Sequence, residues 1–187
     1  APVEKEYTIA DAKLAASIEE ATQAGTENYF TINATSSKSI TTEDKAKTFE
    51  DGTAITQVIK MGSGNQANVT DRSIAFTVKS GATAKVTVYG VASGGKEAAG
   101  NYTVIGLYDS EGKLVKASEN IVAGKTPVTT FDITTAGTYY ITDYKASDAT
   151  SAYKGLNIYG INVDQIVAAA PVEKEYTIAD AKLAASI

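Results

Sequence analysis

The stretch SIAFTV, Ser73–Val78, alternates without a break, with Ile74, Phe76 and Val78 on one side and Ser73, Ala75 and Thr77 on the other. Successive side chains of an extended strand point to opposite faces. The pattern therefore predicts a strand with a dry face toward a core and a wet face toward solvent. The same period of two returns in runs rich in Thr, Val, Ile and Tyr at 29–34, 55–61, 84–91, 102–108, 114–117, 128–133, 139–144 and 156–163, with shorter runs near Tyr7 and Ile40. Turn formers separate them: Gly62-Ser63-Gly64-Asn65, Ser80-Gly81, Ser93-Gly94-Gly95, Asp109-Ser110-Glu111-Gly112 and Ala136-Gly137. Closely spaced strands joined by polar turns predict an all-β chain folded as an antiparallel β-sandwich.

One segment has a different period. In TIADAKLAASIEEA, Leu14, Ile18 and Ala21 fall at i, i+4 and i+7, and Thr8 or Asp11 supplies a cap. A short helix is expected from about Ala10 to Ala21, its narrow apolar stripe laid on the sandwich.

Residues 1–18, APVEKEYTIADAKLAASI, recur without one substitution at residues 170–187. A repeat of 20–50 residues would indicate a solenoid, whereas one this long indicates whole modules in tandem. The expected organisation is a single β-sandwich module at 1–169 and the start of the next identical module at 170–187. An engineered duplication would mark the same boundary. Pro171 biases Ala170 toward an extended backbone, so the junction is semi-rigid. Either its own module or a neighbouring chain could hold the second copy, the latter by segment exchange. The residues expected to make inter-module contacts are Tyr7, Ile9, Leu14 and Ile18, with their repeats Tyr176, Ile178, Leu183 and Ile187.

Composition narrows the chemistry. The chain has no cysteine and no histidine, which excludes disulfides, thiolate chemistry and imidazole ligands. Its net charge is -5 and Arg72 is its only arginine, so nucleic acid is not expected as a partner. There is no apolar run of the ~18 or more residues that a membrane span needs, and membrane insertion is not expected. Ala1 opens directly in polar sequence, so a secreted chain would have lost its leader ahead of this point. No nucleophile elbow, P-loop or dinucleotide fingerprint is present in the right context. The acidic pairs Glu19-Glu20 and Glu4/Glu6 read as solvated charge, and no catalytic residue is assigned.

Five stretches together resemble a known group of proteins. They are TFEDGTAITQVIKMGSGNQANVTDRSIAFTV at 48–78, AKVTVYGVAS at 84–93, YTVIGLYDSEGKLV at 102–115, TTAGTYYI at 134–141 and GLNIYGINV at 155–163. The group is the β-sandwich, carbohydrate-binding-module-like domains appended to bacterial pectate lyases and other secreted or surface proteins. The resemblance runs from about Tyr7 to Val163. It implies a jelly-roll-like sandwich, an extracellular bacterial setting and a role without catalysis.

Glycan recognition needs exposed aromatic faces for stacking, with polar groups to bond hydroxyls. Tryptophan is absent and eleven tyrosines remain. Tyr144 and Tyr153 bracket a polar loop and are the expected stacking rings, while Tyr89, Tyr139 and Tyr159 read as core or interface. Lys60 and Arg72 flank the Gly/Asn loop. If their strands are hairpin partners they converge, with Gln57, Asn65 and Asp71 nearby, and could grip an acidic sugar. The alternative is that Arg72 pins a hairpin.

No cofactor is expected. Asp109, Glu111, Asp143 and Asp148 are the oxygen donors that calcium could use. That ion needs about six to eight oxygens from a rigid loop, and 109–112 reads as a hairpin turn, so no metal site is assigned. The leading expectation is a structural or adhesive module of a secreted or cell-surface tandem-repeat protein, with copies of itself as partners. The second is a module binding pectin-like or other plant polysaccharide.

Overall fold

A computed structural model of the chain describes residues 3–10, 17–18, 22–24, 29–62, 69–149 and 153–167. The described residues form fifteen strands and no helix. They are β1 Val3–Ala10, β2 Ser17–Ile18, β3 Thr22–Ala24, β4 Phe30–Asn33, β5 Ile40–Thr48, β6 Ala54–Gly62, β7 Ser73–Val78 and β8 Ala82–Ala92. There follow β9 Tyr102–Thr103, β10 Ile105–Tyr108, β11 Leu114–Ala117, β12 Ile121–Val122, β13 Thr129–Ile133, β14 Gly137–Asp143 and β15 Leu156–Val167. One sheet runs β13-β8-β15-β6-β5-β2, with β1 also on β15; the second runs β11-β10-β14-β7-β4-β3; β9 and β12 form a small ribbon. Every strand pairing is antiparallel, as the sequence predicts.

The two large sheets bury their apolar faces against each other in one core. From the first come Val86 and Val88 of β8, Ile158, Ile161 and Val163 of β15, and Tyr7 and Ile9 of β1. The second contributes Phe30, Ile74, Phe76, Leu107 and Ile141. The inward phase of β15 changes from even to odd numbers because its register slips between Ile158 and Gly160. A bulge inserts one residue and so moves every later side chain to the opposite face. At this slip Tyr159 joins a second apolar cluster with Phe49, Ile55, Val58 and Val91.

β15 lies at the centre of the first sheet. β8 pairs along its whole length on one side. The remaining pairings are shared in succession: β6 takes Leu156, Asn157 and Ile158, and β1 takes Gly160 to Val167. The sequence-duplicated segment is thus, in its first copy, an integral strand whose register runs Val3↔Val167 to Ala10↔Gly160.

Several expectations need correcting. The helix expected from Ala10 to Ala21 is not seen: Ala10 ends β1, and Ser17-Ile18 pair with Thr41-Ile40 of β5. The remaining positions of that stretch, Leu14 among them, lie outside the described residues, as do Tyr176, Ile178, Leu183 and Ile187. At Ala10, Ser17 and Ile18 strand pairing prevails over helical spacing, since tertiary context overrides weak propensity. The wet face of SIAFTV is dry at two of three positions, for Ser73 and Ala75 are buried and only Thr77 is exposed. β7 is an interior strand, so its small side chains are screened by Asn33, which donates to Ser73 Oγ at 3.1 Å, and by Thr31 and Tyr140 opposite Ala75. The run 102–108 breaks at Val104, and its first part pairs with β12 instead of continuing β10.

Candidate functional site

The residues expected to grip a sugar are dispersed. Lys60 stands on β6 in the first sheet, whereas Arg72 precedes β7 in the second, so their strands are not hairpin partners. Lys60 is exposed and ion-paired with Glu43 of β5, and this ammonium holds the Glu43 carboxyl below its usual range. Gln57 Nε2 donates to Asp44 Oδ1 at 2.9 Å on the same two strands. Arg72 is half-buried and its Nε donates to the Lys38 carbonyl at 3.3 Å. Its guanidinium lies against Gly62, which has φ of 74° and where a Cβ would collide with it. Arg72 thus pins the end of β6 to the turn before β5. Asn65 lies outside the described residues.

The two expected stacking rings separate as well. Tyr153 is buried; it donates to Asp143 Oδ2 at 3.1 Å and meets the Tyr102 ring edge-on at 5.6 Å. Burial, and then the Asp143 charge, push its phenol above the ordinary range. This ring closes a loop and offers no face to a ligand. Tyr144 is half-buried, its amide bonded to the Val104 carbonyl at 2.9 Å. Asp109 Oδ1 accepts from the amides of Glu111 and Lys113 at 2.9 and 3.0 Å, so this carboxylate shapes the turn between β10 and β11.

The structure instead assembles a groove on the outer face of the first sheet. It opens where β1 succeeds β6 along β15, has a volume of about 270 Å³, and is lined by Glu6, Thr8, Thr53, Tyr89 and Asn162 among others. Tyr89 is half-exposed, and its ring leans edge-on against Phe49 at 5.1 Å. Its hydroxyl donates to Asp51 Oδ2 at 2.9 Å and accepts from Thr53 Oγ1 at 3.4 Å. Desolvation raises the Tyr89 phenol, while the Thr53 amide, first among several donors, lowers the Asp51 carboxyl. Thr8 Oγ1 donates to Asn162 Oδ1 at 3.3 Å across the β1–β15 pairing. Sequence reading placed Tyr89 in the core or an interface. The signal for its true position was the outward phase it shares with Thr83, Lys85 and Thr87 on β8.

A larger recess of about 570 Å³ lies between β11 and β13 at one end of both sheets, over Ile121 and Phe131. Lys116 Nζ crosses it to the Asp132 carbonyl at 2.6 Å.

A polar network lies at the seam on which the groove opens. Tyr7 of β1 stacks on Tyr29 with ring centroids 3.8 Å apart and planes 9° from parallel. Tyr29 Oη donates to the Thr77 carbonyl at 2.7 Å and accepts from Gln165 Nε2 at 2.7 Å. Gln165, buried on β15, accepts the Lys79 amide at 3.1 Å. A hydrogen-bonded chain thus ties β15 to β7 of the opposite sheet beneath Tyr7. Burial raises the Tyr29 phenol well above its ordinary value.

No family model and no curated protein matches the chain. Solved structures similar to it include an M60 catalytic domain with two CBM51 domains from Clostridium perfringens, at TM-score 0.43 and 11% identity over 88% of this chain and 15% of that one. A Clostridium thermocellum endo-1,4-β-D-xylanase, its CBM22-1 and GH10 modules complexed with xylohexaose, matches at TM-score 0.37 and 15% identity over 70% of this chain and 25% of that one. The C-terminal CBM6 of a laminarinase from Zobellia galactanivorans matches at TM-score 0.33 and 10% identity over 65% of this chain and 89% of that one. The chain thus spans a small part of the first two. At these scores the sandwich stands on its own strand pairing and not on the likenesses.

Proposed function

We propose that this chain is a non-catalytic structural module of a secreted or cell-surface bacterial tandem-repeat protein, joined to copies of itself through the repeated segment. One observation carries the reading. The first copy of that segment is a core strand, β1, with Tyr7 and Ile9 buried, and the same strand sequence recurs at residues 172–179. A second strand of matching sequence is what strand exchange between modules requires. The test is to unfold and refold the full chain at rising concentration and weigh the products by light scattering. Linked dimers and longer species are expected to grow as the concentration approaches the roughly millimolar effective concentration of a tethered strand. Monomer at every concentration would remove the reading.

A second reading, polysaccharide binding, draws on the outer-face groove, where the half-exposed Tyr89 ring sits among Asn162, Thr8 and Glu6. Sugar rings stack on such faces and bond such side chains. Calorimetric titration with galacturonan and a panel of plant polysaccharides is expected to show heat that Tyr89→Ala abolishes. A flat titration across the panel leaves only the structural role.

A further inference from the structure

We infer that the outer-face groove takes an uncharged sugar chain and rejects the same chain when it bears carboxylates. The inference rests on the second reading above, in which this groove binds polysaccharide, and it names the class of chain bound. Three features of the groove lead to it.

The first is the way Tyr89 is held. Its hydroxyl donates to Asp51 Oδ2 at 2.9 Å and accepts from Thr53 Oγ1 at 3.4 Å, while its ring rests edge-on against Phe49. The protein thus uses the hydroxyl as donor and as acceptor, and fixes the ring. What the half-exposed Tyr89 offers a ligand is a ring face, against which the apolar side of a sugar ring stacks.

The second is the polar pattern beside that ring. Cross-strand pairing sets the outward residues of β8, β15 and β1 in rows: Tyr89 with Gly160, then Thr87 with Asn162 and Thr8, then Lys85 with Asp164 and Glu6. Gly160 brings no side chain, so the first row leaves room beside the ring. In the second row Thr8 Oγ1 donates to Asn162 Oδ1 at 3.3 Å, which leaves the Asn162 amide nitrogen as a donor at the groove. Glu6 supplies an acceptor. A sugar hydroxyl both gives and takes hydrogen bonds and so satisfies the two together, whereas a carboxylate has no hydrogen to give Glu6.

The third is the sign of the charge. Glu6 lines the groove, and Asp51 stands at its rim, bonded to the Tyr89 hydroxyl. Desolvation raises the Tyr89 phenol first, and the charges of Asp51 and Glu6 add to it, so both carboxylates act at the ring. Among the described residues, no lysine or arginine lines the groove. The cations nearby are turned to other partners. Lys47 lies over the Tyr159 ring at 5.8 Å, Lys60 pairs with Glu43, and Arg72 bonds the Lys38 carbonyl. Lys85 is four residues along β8 from Tyr89, about 13 Å at the rise of a strand, and stands opposite Asp164. A carboxylate on the sugar would therefore meet like charges without a counter-charge, and such a juxtaposition is how a site refuses a ligand that otherwise fits.

The test compares polymers that differ in charge alone. The full chain is titrated calorimetrically with methyl-esterified and de-esterified galacturonan, and with a panel of uncharged plant polysaccharides, each beside its lightly carboxymethylated form. Heat is expected from one or more uncharged polymers, with the carboxylate-bearing counterpart bound about tenfold more weakly at low salt and the gap closing as salt screens the charges. Glu6→Gln is expected to narrow the same gap at low salt, which a loss from added bulk would not do. A carboxylate-bearing form that binds as tightly as its uncharged counterpart, with both abolished by Tyr89→Ala, overturns the inference and leaves the polysaccharide reading standing. A gap that neither salt nor Glu6→Gln alters also overturns it. Binding that Tyr89→Ala leaves intact lies outside the groove and removes the inference together with the site. No heat from any polymer removes both the inference and the reading on which it rests.

Discussion

Two regions hold the strands next to β15 in place, and they do so by different physics. At the β1–β15 seam, eight residues pair in register, Tyr7 and Ile9 enter the core, and Tyr29 and Gln165 bond to the opposite sheet beneath them. At the β5–β6 end, side chains meet on the surface: Lys60 with Glu43, Gln57 with Asp44, and Arg72 over Gly62. Burial and backbone pairing set the energy of the first, and exposed charge, screened by solvent, sets most of the second. Residues that look chemical in sequence lie in the weaker region. The stronger one is made of a segment that looks unremarkable until its repetition is noticed.

The largest expected effect breaks the seam. Tyr7→Ala removes the ring stacked on Tyr29. The loss should be about 3–5 kcal/mol in urea unfolding, in the range for large aromatic truncations. Next is Gln165→Leu, which strands the Lys79 amide and one bond of the Tyr29 hydroxyl. A loss of about 1–3 kcal/mol is expected, the cost of buried groups left without partners. At the other region only Gly62→Ala approaches this size. Its positive φ and the collision with Arg72 should cost about 1–3 kcal/mol, and adding Arg72→Ala should recover part of it.

Acid and alkali should separate the two regions by sign. Tyr29 has a raised phenol pKa, so the stability it contributes is complete below the ordinary phenol value and is lost as pH rises from there through the folded value. Glu43 and Asp51 have lowered pKa values, so theirs is present above the ordinary carboxylate range and lost as pH falls through the depressed values. Thermal melts across pH should show a steep alkaline loss and a shallow acidic one, the latter weak because both carboxylates are exposed. The smallest effect is that of Lys60→Ala, which should leave the midpoint at neutral pH unchanged and flatten the acid limb.

Strand positions were largely legible because alternation is local: β7 and β11 lie where their residue patterns put them, and β6, β8 and β14 within two residues at either end. The two-residue strands β2 and β12 were not, since so short a run has no period to read. The candidate site was poorly legible. Tyr153 and Tyr89 are both tyrosines beside polar residues, yet one is sealed under a loop and the other half-exposed on a sheet face. Lys60 and Arg72 flank one loop, yet their strands belong to different sheets.

From the sequence alone came the all-β class, the sandwich, the strand spacing and the repeat of residues 1–18, all of which are carried by period and identity along the chain. Tertiary structure alone decided that the repeated segment is a partner of β15, that a bulge switches the inward phase of β15 after Ile158, and that a groove opens where β1 follows β6. The reason is that alternation specifies which side of a strand is apolar but not which strand lies beside it. That choice is made between residues as distant as Val3 and Val167, through backbone pairing that any extended segment can offer and through core contacts that only the assembled sheets provide.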